Sequence, residues 1–200
     1  MSMPDTPPRP INSALLIPIG IALNLAIGTV VHILKLPIFL DAIGTIIVTL
    51  LAGVRAGIIT GVLSFVLAGA LVNPSYPWFS GTQVVIALFT HTVAKRGGYR
   101  RLFPRIAFGL LLGVATGLAS APVIVYLFGG ISGSGASLIA AYLIATGKKV
   151  LEAVLLSGLA AEPLDKMLQT LLAYALLRGI PADILARFDR TLLERNGLLK

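Results

Sequence analysis

The sequence predicts an all-α integral membrane protein with six transmembrane helices and both termini in the cytoplasm. Of its 200 residues, 56% are hydrophobic and only 12% charged, with a mean hydropathy of +0.94; a soluble domain carries about a quarter charged residues. Two hundred residues, at about 20 per spanning helix, allow at most six or so spans with short connections and leave no room for a separate soluble catalytic domain. Basic residues then fall unevenly between the two sides of those spans.

Residues 1–10 hold four prolines and two charges, Asp5 and Arg9. They read as a disordered tail before a retained first helix, because no basic n-region introduces a cleavable signal. The first span runs from about Ile11 to Ile33 and contains Pro18. Ala14, Pro18, Ala22 and Ala26 share one face of it. Small residues let membrane helices approach closely, so that face serves either packing within the chain or docking of a partner.

The second span, about Ile38 to Ala52, follows Pro37, a residue suited to a helix's first turn. It carries Asp41, and an ionised carboxylate in hydrocarbon costs several kcal/mol unless it is solvated or paired. Asp41 therefore belongs at a membrane surface or facing a polar cavity. A tight turn with Arg55 leads to the third span, about Ala56 to Val72. Gly53, Gly57 and Gly61, and later Gly109, Gly113 and Gly117, repeat at G-x-x-x-G spacing, which predicts helices packed backbone to backbone.

Residues 73–81, with Asn73, Tyr76 and Trp78, form a Pro-rich aromatic connection that reads equally as an interfacial anchor or as a loop covering a ligand. The fourth span, Thr82 to Ala94, is short, about 20 Å. It opens with Gln83 and carries His91, a lone histidine with no second ligand at chelating spacing, so no metal is predicted. Lys95, Arg96, Arg100, Arg101 and Arg105 precede the fifth span, Ile106 to Phe128. Residues 129–161 contain a flexible glycine-serine break and two apolar pieces, 136–146 and 150–159, each too short to cross alone; they read as an extracellular lid-like connection. Glu162-Pro163-Leu164-Asp165-Lys166 opens the last span, to about Leu177, with Pro163 at its start and the acids in its first turn. Lys166 in that position has to be paired or face water. Residues 182–200 read as a cytoplasmic tail.

With these spans, twelve of the sixteen basic residues lie on one side; Lys35, Lys148, Lys149 and Lys166 lie on the other. The positive-inside rule makes the first side cytoplasmic. The net charge of +8 then grips headgroups rather than nucleic acid, for which no motif is present. Lys35, Asp41, Asn73, Tyr76, Trp78, Gln83, Glu162, Asp165 and Lys166 gather near the outer ends, as a cavity open to the outside would require. A channel needs polar residues along a whole pore. An intramembrane hydrolase needs a nucleophile paired with a base, and no such pairing is recognisable. Cysteine is absent, which removes disulfides and thiolate chemistry. No catalytic residue and no cofactor is assigned.

Ile21-Ala-Leu-Asn-Leu25, Leu36-Pro-Ile-Phe-Leu-Asp-Ala-Ile-Gly-Thr45, Leu51-Ala-Gly-Val-Arg-Ala-Gly57, Ala161-Glu-Pro-Leu-Asp-Lys166, Leu172-Ala-Tyr174 and Ile180-Pro181 together resemble the substrate-specific S component of energy-coupling factor (ECF) transporters, in the riboflavin-type branch. The resemblance implies a six-helix, vitamin-binding subunit of an ABC importer in a prokaryotic plasma membrane. Its site would lie on the extracellular side, and its partners would be a transmembrane T component and two cytoplasmic ATPases. The family's A-x-x-x-A docking motif falls near positions 18 and 22, where this chain has Pro18 and Ala22. The family's mechanism implies that docking, with ATP hydrolysis by the partners, topples the subunit so that its site opens inward. The chain itself carries no Walker A sequence and hydrolyses no ATP. Tyr76 and Trp78 suit a flat ring, and the mixed charges of Glu162, Asp165 and Lys166 suit a zwitterion or a hydrogen-bonding heterocycle. A membrane sensor or scaffold that binds partners and no transported solute is the alternative.

Overall fold

The computed structural model describes residues 13–199, and within them the chain is helical and without strands. The expected tail over 1–10 lies outside the described residues, as do Ile11 and Asn12 of the first expected span. A 3₁₀ turn, Ser13–Leu15, leads into α1 (Leu16–Ile33). There follow α2 (Ile43–Leu71), a 3₁₀ turn at Tyr76–Phe79, α3 (Ser80–Lys95), α4 (Leu102–Phe128), α5 (Ala136–Ala145), α6 (Val150–Arg178), α7 (Ala182–Leu185) and α8 (Arg190–Arg195). Three of these, α1, α2 and α4, are long and apolar enough to cross a membrane.

α2 is not straight. Gly53 adopts φ 82° and ψ 176°, a backbone state open essentially to glycine alone, and folds α2 into two antiparallel arms, residues 43–52 and 54–71. The pairing across the arms proves the fold-back: a methyl on Gly61 would sit 3.0 Å from Thr45 Oγ1, although a straight helix would separate these residues by about 24 Å. Gly57 meets Thr49 in the same way. The second and third expected spans are thus a hairpin whose turn is Gly53.

Asn24 ties α1 to both arms. Its Nδ2 donates to Thr45 Oγ1 at 2.9 Å and to Ser64 Oγ at 3.0 Å, while its Oδ1 accepts the Gly44 N–H at 2.7 Å. Gly20 and Gly44 allow that approach, since a side chain on Gly44 would overlap the Gly20 backbone. The face of α1 that packs inward is therefore Gly20, Asn24, Gly28 and Val31. Pro18, Ala22 and Ala26 lie on the opposite, exposed face, and Ala14 is exposed too. Among the described residues, packing leaves Pro18, Ala22 and Ala26 exposed.

The second glycine repeat joins α4 to α6 antiparallel. Gly109 faces the Met167 backbone and Gly113 the Glu162–Pro163 backbone, with no space at Gly113 for a Cβ; Gly117 lies against the Glu162 side chain. α6 closes the bundle by also packing on α2, and α5 lies across α6.

Three expectations are corrected here. Pro37 does not start a helix: residues 35–42 form an irregular segment in which Lys35 and Leu40 have positive φ (54° and 49°), and α2 begins only at Ile43. Pro163 does not start a helix either. It sits inside α6, which starts at Val150, so Glu162, Asp165 and Lys166 lie in mid-helix and cap nothing, and of the expected connection over 129–161, residues 136–145 form α5 and residues 150–161 belong to α6. Pro163 lacks the N–H that would reach the Leu159 carbonyl, and the glycine face of α4 packed on it supports the continuous helix. The C-terminal segment expected as a tail folds onto the bundle as a plug. Leu185, Leu192 and Leu193 are buried, and Asn196 bonds the Tyr99 N–H, the Ala94 carbonyl and the Leu192 carbonyl.

The apolar core, including Ile46, Leu50, Tyr99, Tyr174 and Leu193, fills the half of the bundle nearest Gly53 and the plug. Tyr174 Oη donates to the Asn196 carbonyl at 3.1 Å, and Arg105 lies 3.3 Å over the Tyr174 ring while donating to the Tyr99 carbonyl. The other half of the bundle is hollow.

A candidate solute-binding cavity

The hollow half holds a partly open cavity with about 90 Å³ of space open to the centre of a water molecule. α1, α2, α3, α4, α5 and α6 all contribute to its wall, together with residues 36–41 and 130–135. Its roof is the glycine-serine segment. Lys35 Nζ donates to the Gly133 carbonyl at 3.4 Å, and Gly135 is pressed on the Leu36 carbonyl so closely that no Cβ fits. Beneath that contact Ser132, Ser134 and Ser137 form a hydroxyl cluster, 3.0 to 3.4 Å apart.

Five of the eight predicted binding residues line this cavity: Asp41, Tyr76, Gln83, Glu162 and Lys166. Three do not. Asp165 is fully buried behind the wall, where its Oδ1 accepts the Phe39 and Leu40 N–H groups at 2.9 and 3.0 Å and its Oδ2 bonds Lys166 Nζ and Gln169 Nε2. Gln169 Oε1 in turn accepts the Ala42 N–H at 2.9 Å. Asp165 therefore fixes the shape of the wall and is unavailable to a ligand. Asn73 is occupied locally, its Oδ1 accepting the Ser75 N–H at 2.9 Å. Trp78 is 61% exposed on the outside of the molecule, because the 3₁₀ turn that seats Pro77 against Gly69 directs Tyr76 inward and Trp78 outward.

The charged groups are not equivalent. Lys166 Nζ pairs with Glu162 Oε2 at 3.2 Å and with Asp165, and lies 5.3 Å from the Phe39 ring centroid. Glu162 Oε2 also accepts from Thr116 Oγ1 at 2.9 Å. Gln83 Oε1 accepts from Thr45 Oγ1 at 2.7 Å, leaving its amide N–H groups, one of them 3.5 Å from the Asp41 carbonyl, toward the cavity. Tyr76 packs edge-on against Phe65 at 5.2 Å and tilted against His32 at 5.9 Å. Burial, then the nearby Asp41 carboxylate, raises the Tyr76 phenol above its ordinary range, so it stays a neutral donor. Among the described residues no group of His, Asp and Glu is placed to hold a metal ion.

Sequence reasoning missed the serine cluster, His32, Phe39, Phe65, Thr116 and Ser157 as wall residues. It also missed Asn24 as the clamp on α2; a lone buried amide in an apolar run was the available signal. Compared with protein-family models, with curated proteins and with solved structures, the chain finds no match.

Proposed function

We propose that the chain is the substrate-binding S component of an ECF-type importer, a six-span membrane protein that captures a small water-soluble vitamin or related heterocycle outside the cell. It would deliver the solute inward on docking to a transmembrane T component and two ATPases. The observation that carries this reading is the closed-bottom cavity. Ionisable and amide groups, Asp41, Gln83, Glu162 and Lys166, converge in it with aromatic rings, while the opposite end of the bundle is sealed by apolar packing and the C-terminal plug. A pore would run through, and an enzyme would need an activated nucleophile; a one-ended pocket binds and waits for a partner to reorient it. In this reading residues 36–42 and the short first arm of α2 together make one crossing and the second arm another, beside α1, α3, α4 and α6, with the basic residues 95–105 and 178–195 toward the side that the positive-inside rule makes cytoplasmic. The exposed Pro18, Ala22 and Ala26 face of α1 supports docking, since close helix approach needs small residues.

The experiment is paired. The full chain in nanodiscs is screened for thermal stabilisation by vitamins, nucleobases and related solutes, and uptake of the bound solute is measured in cells that supply a T component and ATPases. Ala22→Trp is expected to keep solute binding and lose uptake. A chain that binds no solute and co-purifies with an unrelated membrane partner would sink this reading in favour of a sensor or scaffold.

A further inference from the structure

Asp41 is 7% exposed and lines the cavity. Among the described residues no side chain forms a hydrogen bond or ion pair with its carboxylate, whose hydrogen-bonding neighbour is its own backbone N–H. Every other buried ionisable group of the wall is satisfied from within the protein. Glu162 has Thr116 and Lys166, and Asp165 has two backbone N–H groups, Gln169 and Lys166. Lys166 makes its direct ion pairs with those two carboxylates and reaches Asp41 only through space, so Asp41 has no ion-pair partner of its own. Two carboxylates, Asp41 and Glu162, and one ammonium line the chamber, and that ammonium is shared with Asp165 behind the wall. Tyr76 and Phe65 share the lining with Asp41, and an aromatic face attracts a cation. Asp41 also borders a smaller cleft that it shares with Tyr76 and Phe65, whose roughly 10 Å³ of space open to the centre of a water molecule holds about one water.

We infer that the solute of this cavity is a small organic cation, an amine, amidine or charged nitrogen heterocycle, whose positive nitrogen seats on Asp41 beside Tyr76 while its polar remainder meets the serine hydroxyls of the roof. The inference rests on the solute-binding reading above and narrows its substrate class. An anionic or zwitterionic solute that led with its carboxylate would meet Asp41 and Glu162 with like charge, and a neutral one would leave the Asp41 carboxylate buried and unpaired.

The test uses the full chain in nanodiscs and matched triples of similar shape: benzamidine, benzamide and benzoate; the ring-methylated cation 1-methylnicotinamide, nicotinamide and nicotinate. Calorimetric titration is run on each, and the solute carried through purification is identified by mass spectrometry. The expected result is binding by the cationic members and a co-purified solute that is cationic at neutral pH. Asp41→Asn should weaken cation binding about 10- to 100-fold, the loss of one charge-assisted contact, while Trp78→Ala should not change it. Binding of the neutral or anionic members as tight as that of the cations, or an Asp41→Asn variant that binds cations undiminished, overturns the inference and leaves the solute-binding reading standing. No binding by any member, with no co-purified solute, overturns both. If Asp41→Asn does not fold, the wild-type triples and the conservative Asp41→Glu decide.

Discussion

The Asp165 carboxylate holds Leu40 in a left-handed backbone state: Oδ1 accepts the Leu40 N–H at 3.0 Å, and Leu40 sits at φ 49°. A non-glycine residue pays about 1–3 kcal/mol for such a conformation, and it persists because the Phe39 and Ala42 N–H groups are pinned by the same pair of α6 side chains, Asp165 and Gln169. Asp165→Ala would strand Lys166 as a buried cation with only Glu162 opposite it, and would release residues 38–42. The expected outcome is a loss of about 3–5 kcal/mol of stability, read as a lowered unfolding midpoint in detergent, with solute binding lost as a consequence of the collapsed wall. Asp165→Asn, which keeps an oxygen acceptor, should lose less; equal stability of Asp165→Ala and wild type would remove Asp165 from this positioning role.

A second prediction concerns Asn24. Replacing it with Leu leaves the Gly44 N–H without an acceptor and puts a branched side chain where α1 and α2 approach most closely. About 2 kcal/mol of destabilisation is expected, whereas Ala26→Leu, on the exposed opposite face, should change the unfolding midpoint by less than about 0.5 kcal/mol equivalent. Equal effects of the two substitutions would show that the Asn24 bonds do not hold α1 in place.

These residues also mark how far the sequence could be read. The glycine repeats were legible because G-x-x-x-G has one physical meaning, close backbone approach, and Gly57, Gly109 and Gly113 serve it. Asp41, Gln83, Glu162 and Lys166 were legible as wall residues because a polar group in an apolar helix must face a cavity or a partner. Asp165 obeys the same rule by the other route, facing backbone N–H groups, and nothing in the sequence distinguishes the two. Pro163 misled because proline's preference for a first turn is local, while the decision to continue α6 is tertiary, made by its contact with Gly113. The aromatic connection over 73–81 reads equally as anchor or ligand cover in the sequence, and the turn seated by Pro77 divides the two roles, Tyr76 in the wall and Trp78 on the outside. The serines at 132, 134 and 137 carry no periodicity and read as a break.

The C-terminal plug yields a third prediction. Asn196 is fully buried and its amide spans three backbone partners in different segments, Tyr99, Ala94 and Leu192. Asn196→Ala should cost about 2–3 kcal/mol, since several buried backbone groups lose their partners together. It should also raise hydrogen exchange at residues 94–99 and 185–198 while leaving the cavity end protected. Uniform loss of protection along the bundle would show that the plug is not a separate cooperative unit.

The contact between α4 and α6 gives the last prediction, and it separates packing from binding. A Cβ on Gly113 would overlap the Pro163 Cα and the Glu162 carbonyl, both backbone atoms that no side-chain rotation can clear. Gly113→Ala must therefore push α6 away from α4, at a cost of about 1–3 kcal/mol typical of overpacking. The shift would carry Glu162 away from Thr116, which sits on α4 one turn from the contact. Solute affinity should then fall together with stability. Gly81→Ala is the matched control: nothing lies within 4 Å of its would-be Cβ, so stability should change by less than about 0.5 kcal/mol and solute affinity not at all. A Gly113→Ala protein as stable as wild type would mean that α4 and α6 lie farther apart than this packing allows.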